Sequence, residues 1–263
     1  MTQYICDSKQ ISLNSSSATI TNSPYNSQCT FNINGALKYD KDILYNQISV
    51  IHAQIPVSYY ICNYTNNTLN TSVGNFTLTR GNYNANSFKT MLLGILGAGW
   101  GMSLNTITGV FTITYSSDFT IYSTSTCQKL LGLGTSQNYS STSSSLLCPY
   151  PCNFVGISKL KIKSNLVVSE NMDSNARGRC NLLTTIPVST NSFGVILYNN
   201  NMGFKNMLAN YNLDFVDISI TDELDNLVNF NGVDWNLSLQ IDSYRSKLPE
   251  GENLASMMHR ENP

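Results

Sequence analysis

Only 12% of the 263 residues are charged, about half the share of an ordinary soluble domain, and 15 basic side chains nearly balance 16 acidic ones. The net charge of −1 offers no attraction to phosphate backbones or anionic membranes, so we expect no direct binding to nucleic acid. A weakly charged surface rich in Ser, Thr and Asn also repels its own copies poorly, which favours a subunit buried among neighbours.

The N-terminus lacks the basic and apolar segments of a signal peptide, and no run approaches the roughly 18 apolar residues of a transmembrane helix. We therefore expect a chain that is not secreted and has no transmembrane segment. Its seven cysteines are odd in number, so a complete disulfide framework within one copy is impossible. We expect most of them to be reduced, buried thiols.

The first half of the chain predicts strands around one helix. Alternation predicts strands at 29–33 and 43–62, the second bent at Pro56, followed by a short strand at 74–80. The period then changes to spacings of three and four, which predicts a helix that Asn86 or Ser87 can cap and Gly97 ends. Its apolar positions are Phe88, Met91, Leu92, Ile95 and Leu96.

The second half predicts a hairpin, a short helix and further strands. Strands at 102–106 and 110–115 flank a turn, 119–122 pairs with them, and 127–133 is a short helix. The Ser/Thr/Asn tract 134–145 is predicted to be an exposed, mobile loop, and 171–181 a polar loop. The remaining strands are 157–163, 166–168, 182–188, 193–198, 213–221 and a last one within 230–242.

No repeat and no clear linker divides the chain, so we predict an all-β fold with about eight principal strands and one or two short inserted helices. A single jelly roll or a related β-sandwich, with two packed antiparallel sheets, fits this pattern. The predicted segments are an N-terminal arm or edge segment at 1–28, the domain at 29–244 and a polar tail at 245–263.

Residues typical of catalytic or metal sites are sparse. His52 and His259 are the two histidines, so neither a histidine-based triad nor a multi-histidine metal site is available. Cys148 and Cys152 have three residues between them and no second pair, which favours a local disulfide or two idle thiols over zinc. The glycine-rich stretch 97–101 follows a helix, so we interpret it as a helix-ending turn.

The acidic group Asp222, Glu223 and Asp225 lacks the glycine and bidentate glutamate of an EF-hand, and a charged hairpin tip is the simpler interpretation. A glycosidase would need two convergent carboxylates in a cleft, which one sequence cannot establish. The candidates for that pair are Asp214, Asp217, Asp222, Asp225 and Asp234. We predict no catalytic, metal or cofactor-binding residue and no enzymatic activity.

Six stretches, in order, resemble the penton (vertex minor capsid) proteins of virophages, polinton-like viruses and giant DNA viruses. The match runs roughly over residues 29–242, and the stretches are IHAQIPVSYYI at 51–61, NN at 66–67, GNYN at 81–84, LLGL at 130–133, ITDELDN at 220–226 and NGVDWNLSLQI at 231–241. Each is short, but their order and the last stretch are fairly specific together.

The resemblance implies a single jelly roll, five copies of which form the capsomer at each five-fold vertex of an icosahedral capsid. Its expected partners are its own copies, trimers of a double-jelly-roll major capsid protein, and other minor capsid proteins, in virions assembled in the infected host cell. It places the segment before Phe31 and the tail after Tyr244 against neighbours or the capsid interior. Some members carry an extra outer domain on a loop, for which the tract 134–145 is too short.

The resemblance also implies that Asn231-Gly232 forms a turn before the last strand, because both residues tolerate positive φ, and that Trp235 anchors that strand. Two other classes remain open. One is a carbohydrate-binding or adhesin-like β-sandwich, for which Tyr- and Asn-rich loops offer stacking faces and amides. The other is the glycosidase built on two of the five aspartates.

Overall fold

The computed structural model describes residues 4–37, 40–168, 171–173, 178–209 and 213–245. The chain divides into two compact units, one formed by Met1–Ser58 with Ser158–Pro263 and the other by Tyr59–Ile157. The first unit includes strands from the predicted N-terminal segment 1–28 as well as from the domain predicted at 29–244, and the second unit is inserted within that domain. Apart from Arg245, the predicted tail 245–263 lies outside the described residues.

The first unit begins with β1 (Tyr4–Asn14), a 3-10 turn (Ser15–Ser17), β2 (Ile20–Thr21), β3 (Gln28–Leu37) and β4 (Ile43–Pro56). The second unit then contributes β5 (Thr68–Asn70), β6 (Asn75–Thr77), α1 (Ala85–Leu96), β7 (Gly101–Asn105), β8 (Val110–Thr114), β9 (Thr120–Ile121), α2 (Gln128–Leu131), β10 (Tyr139–Ser140) and β11 (Ser145–Leu147). The first unit resumes with β12 (Lys159–Lys163), β13 (Asn171–Asp173), β14 (Gly178–Cys180), β15 (Leu182–Pro187), β16 (Val195–Asn199), β17 (Asn206–Met207), β18 (Leu213–Thr221) and β19 (Asn236–Arg245).

Two antiparallel sheets form the first unit. The first sheet has the order β1-β19-β4-β16, with β17 also paired to β4, and the second has the order β15-β12-β18-β3-β2. The eight principal strands, numbered 1 to 8 along the chain, are β1, β3, β4, β12, β15, β16 with β17, β18 and β19. In these numbers the two sheet orders are 1-8-3-6 and 5-4-7-2. That interleaving is the strand order of a jelly roll, so the predicted fold class is confirmed.

Alternation along the central strands explains the core between the sheets. In β19 the side chains of Leu237, Leu239 and Ile241 are buried, whereas Asn236 is exposed. Strand β18 repeats the pattern with Val216, Ile218 and Ile220. Because successive side chains of a strand point to opposite faces, each long strand contributes one apolar row to the core and one polar row to the outer face.

The Asn-Gly turn and the tryptophan lie where the resemblance placed them. Asn231 and Gly232 have φ of 52° and 78°, and Trp235 immediately precedes β19 with no exposed surface. The Trp235 indole N–H donates to Asn26 O at 2.6 Å, and its ring meets Phe31 edge-on at 6.0 Å between centroids. The stretch therefore anchors the last strand against the start of β3.

The second unit has its own core, built on α1 and the strands around it. Phe88, Leu92 and Leu96 form the buried face of α1, as its spacing predicted, and they belong to one cluster with Phe111 and Ile113 of β8. All of residues 59–157 are described, and only Arg80, Lys89, Asp118 and Lys129 among them are charged. The inserted segment is thus a folded unit with a nearly uncharged surface.

Several local expectations were wrong. Strand β9 pairs with β10 instead of the β7–β8 hairpin, 166–168 has only an isolated bridge at Val167, and the strand predicted at 43–62 ends at Pro56. Helix α1 is capped by Asn84, which pairs with Ser87 in a capping box, so it starts a residue or two before the predicted cap. The tract 134–145 contains β10 and the start of β11 instead of being one loop, because β9 and β8 supply pairing partners. The polar segment 171–181 likewise holds the hairpin β13–β14.

Candidate functional site

The aspartates proposed for hydrolysis are each bound to donors of the protein itself. Asp214 accepts a hydrogen bond from Gly35 N, Asp217 from Ser164 Oγ and Asn165 N, and Asp234 from Ser15 Oγ. These bonds connect β18 to β3 and the last turn to the end of β1. Their geometry ties each carboxylate to a different part of the jelly roll.

The acidic group after β18 forms the charged turn that the sequence favours. Asp222 closes the turn by accepting from Leu224 N at 2.9 Å and Asn226 N at 2.8 Å, and Asp225 accepts from Lys161 Nζ at 3.0 Å and Lys163 Nζ at 2.6 Å. Within the described ranges, no three His, Cys, Asp or Glu side chains lie together as a metal site requires.

The histidine and glycine candidates also have structural surroundings. His52 is exposed on the outer face of β4, with Nδ1 at 2.5 Å from Asn199 Oδ1, and His259 lies outside the described residues. Gly97 and Gly99 have φ of 78° and 89°, and Gly97 N donates to Leu93 O, which is the helix-ending turn predicted from the sequence.

All seven cysteines are free thiols, so Cys148 and Cys152 form no local disulfide. Burial raises the pKa of Cys62 to about 11 and those of Cys127 and Cys148 to about 12. The thiolate is the nucleophile and the metal ligand, so these three thiols stay protonated and unreactive near neutral pH.

The outer face of the first sheet carries one buried charge. Asp242 of β19 accepts from Ser8 Oγ at 2.6 Å, Gln240 Nε2 at 2.9 Å and Lys205 Nζ at 2.7 Å, and its side chain is 2% exposed. Burial raises the pKa of Asp242, but the hydrogen bonds from Lys205, Ser8 and Gln240 outweigh it and hold that pKa below its usual value. The carboxylate fastens β1 and the segment before β17 onto the sheet.

On the outer face of the first sheet, a depression of about 300 Å³ lies over the end of β1, the start of β19 and the adjoining part of β4. Its walls include Ser12, Asn14, His52, Gln54 and Asn236, and no Phe, Tyr or Trp side chain lines it. Sugar-binding sites generally combine amides with an aromatic stacking face, so this depression lacks half of what a carbohydrate site needs.

Large apolar side chains are exposed along the edge of the first sheet formed by β16 and β17. We call this set the edge patch; its members and exposed fractions are Phe193 80%, Val195 53%, Leu197 70%, Met202 97% and Phe204 47%. Ile196 between them is buried, so Val195 and Leu197 face outward from the sheet. Exposed apolar side chains of this size and number are typical of a surface that binds another molecule.

Phe193 has a strained backbone within the edge patch. Its φ is 68°, a conformation that a bulky residue rarely adopts and that costs about 1–2 kcal/mol. Two hydrogen bonds hold it: Phe193 N donates to Val57 O, and Val57 N donates to Gly194 O, both at 2.8 Å. The surrounding strand therefore maintains a strained turn that presents an aromatic ring to solvent.

A second, smaller apolar set lies on the outer face of the second sheet. Ile20 is 67% exposed and Phe215 is 55% exposed, and they pair across β3 with Thr30 and Asn32. Because Phe31 between those two points into the core, Ile20 and Phe215 share the outer face. We call this pair the β2–β18 patch.

The sequence predicted the strands at 193–198 and 213–221 but not the exposure of their apolar side chains, and it placed Ile20 in the N-terminal arm or edge segment 1–28. The available signal is at 193–197, where Phe193, Val195, Ile196 and Leu197 place apolar side chains on both faces of one strand. Such a strand is either buried on both faces or exposes an apolar face, and only the sheet order distinguishes these cases.

No protein-family model matches the chain, and no curated protein matches it. Among solved structures, the crystal structure of the mavirus penton protein is similar, with a TM-score of 0.49 and 13% identity over 90% of this chain and 99% of that chain. The cryo-EM structure of the Sputnik virophage contains a chain with a TM-score of 0.43 and 12% identity, over 90% of this chain and 98% of that chain. In the described part of the chain, no helix is long and apolar enough to cross a membrane.

Proposed function

We propose that this protein is a structural subunit of an icosahedral double-stranded DNA virus capsid, namely the penton that closes the five-fold vertices as a homopentamer. The observation that carries the proposal is the edge patch, five large exposed apolar side chains along one edge of a jelly roll. A free monomer gains nothing from such a surface, whereas a subunit buries it against a neighbour.

The electrostatics of the molecule support assembly. Residues 10–37 and 188–204 contain no charged side chain, and they include β2, β3, β16 and the last residues of β1. Burying uncharged surface avoids the desolvation cost of ionised groups, so weak contacts repeated under symmetry can close a shell. We propose the major capsid protein and other minor capsid proteins as further partners, and the capsid vertices as the location.

Imaging tests the symmetry of this assembly. Negative-stain class averages of the purified full chain should show rings with five-fold symmetry. Rings of another order, or two-fold dimers as the largest species, would contradict the penton assignment, because a vertex capsomer requires five copies.

A carbohydrate-binding β-sandwich is the second candidate, and the second unit favours it. That unit has four charged residues and exposes Tyr122 (38%) and Tyr150 (56%), side chains suited to stacking on sugar rings. A glycan array separates the two functions, since the penton proposal requires no binder, while specific binding lost in Tyr150→Ala would establish a lectin function.

A further inference from the structure

We propose that the edge patch of one copy docks against the β2–β18 patch of the next copy, and that this head-to-tail contact closes the ring. The inference rests on the proposed function and names the surfaces that would carry it. The partner is a second copy of this chain.

The edge patch and Ile20 lie on opposite lateral sides of the jelly roll, and Phe215 lies further in, on β18 at the centre of the second sheet. The edge patch follows β16 and β17 at one end of the first sheet, and Ile20 belongs to β2 at one end of the second sheet. Thr184 Oγ1 of β15 and Tyr198 OH of β16 are 3.1 Å apart, so these strands share one side. The five-residue connection from Asn14 to Ile20 keeps β1 and β2 together on the other side.

The patches also belong to different layers. Leu197 faces outward from the first sheet, and Ile20 and Phe215 face outward from the second. A contact between the edge patch of one copy and the β2–β18 patch of the next leaves one free β2–β18 patch at one end of the pair and one free edge patch at the other. Addition of further copies through the same contact gives a ring when the rotation between neighbours closes.

The chemistry of the patches fits a shared contact. Phe193 is held on a strained turn with its ring 80% exposed, which suits an aromatic anchor at the centre of an interface. The segment that carries the edge patch, 188–204, and the segment that carries Ile20, 10–37, both lack charge, whereas Phe215 is flanked on β18 by Asp214 and Asp217. In contrast, β1 at the other edge of the first sheet carries Asp7 and Lys9, charges that discourage direct edge-to-edge pairing.

Cross-linking in trans tests the pairing. The full-length variants Leu197→Cys and Ile20→Cys are purified separately, mixed, and treated with a short bifunctional maleimide. We expect a cross-linked dimer in the mixture well above the level of either variant alone, because a head-to-tail contact brings the two different positions together. Wild type measures the background from Cys6 and Cys152, and Leu197→Cys mixed with Ile107→Cys is the matched control at an exposed site of the second unit (95%).

Charge insertion gives an independent readout in solution. Leu197→Asp should weaken self-association at least tenfold by sedimentation, while Ile107→Asp should leave it unchanged. Both positions are highly exposed, so neither substitution threatens the fold.

Each outcome decides between defined alternatives. Dimers of Leu197→Cys alone would show a face-to-face contact and overturn the head-to-tail pairing. Wild-type rings with no cross-link in the mixture, and with Leu197→Asp still forming rings, would overturn these patches but leave the proposed penton intact. A wild type that neither forms rings nor cross-links in the mixture at any concentration would overturn both proposals.

Discussion

Asp242 shows how one buried charge fastens several parts of the first sheet. Its carboxylate accepts from Ser8 and Lys205, on two different segments, so Asp242→Asn removes charge-assisted hydrogen bonds and leaves Lys205 without its carboxylate. We expect a loss of about 2 kcal/mol in the free energy of unfolding at pH 7, measured by urea denaturation. Asp7→Asn, at a half-exposed pair with Lys9, should change it by less than about 0.5 kcal/mol.

The same carboxylate predicts a pH dependence. The folded pKa of Asp242 lies below its unfolded value of about 3.9, so its stabilisation is present above about pH 4 and is lost as the pH falls towards the folded pKa. The unfolding free energy of wild type should therefore fall more steeply between about pH 4 and pH 2 than that of Asp242→Asn. If the unfolding free energies of wild type and Asp242→Asn fall equally steeply with pH, groups other than Asp242 cause the acid sensitivity.

Trp235 is the anchor of the last strand. Trp235→Phe removes the hydrogen bond to Asn26 O and part of a fully buried ring. We expect a loss of about 2 kcal/mol in unfolding free energy, from the lost bond and the cavity together. Met202→Ala, at a side chain with 97% exposure, is the control and should be nearly neutral. A neutral Trp235→Phe would mean that the turn needs no anchor.

Single residues also show what the sequence could reveal. The resemblance implied the turn at Asn231-Gly232 and the anchor at Trp235, and residue chemistry agrees, because Asn and Gly tolerate positive φ and tryptophan has a large apolar ring to bury. The strained turn at Phe193 was not predictable, because its φ is imposed by hydrogen bonds to Val57, more than a hundred residues away in the chain. Side-chain type alone gives no sign of such a constraint.

At the scale of elements, α1 begins at a capping box. Asn84 Oδ1 accepts from Ser87 N, and Ser87 Oγ accepts from Asn84 N. Asn84→Ala should lower the unfolding free energy by about 1 kcal/mol in thermal or chemical denaturation, whereas Asn86→Ala, within the exposed first turn, should have a smaller effect. A larger loss in Asn86→Ala would contradict this assignment and restore the cap predicted from the sequence.

The inserted unit has the features of an independently folding segment. Its ends approach each other, because a Cβ at Gly156 would lie 3.1 Å from the Ile61 side chain. With its own core and adjacent ends, the isolated segment 59–157 should fold alone and unfold cooperatively, as read by circular dichroism and amide-proton dispersion. A disordered segment would show that the unit depends on the rest of the chain.

Helix α1 and the long strands were predictable from their periods, but the division into two units was not. The Ser/Thr tract 134–145 has few apolar residues, yet β10 and the start of β11 form there because β9 and β8 are already in place. Pairing with a distant strand overrides local composition in such segments. For the same reason, the composition of the polar segment 171–181 does not predict β13 and β14, which pair with each other.

At the scale of the whole molecule, the proposed association of copies rests on low charge and on exposed apolar patches. Contacts between uncharged surfaces depend little on ionic strength, since salt screens only charges. Raising the salt concentration should therefore leave ring formation unchanged or strengthen it. A ring that dissociates in moderate salt would instead require ion pairs between copies.

The native mass of the full-length protein tests the central claim most directly. Native mass spectrometry and sedimentation across a wide concentration range should show a closed species of five 29.1 kDa chains, with no larger open series. A strict monomer at every concentration, or a closed species with any other number of copies, would contradict the account.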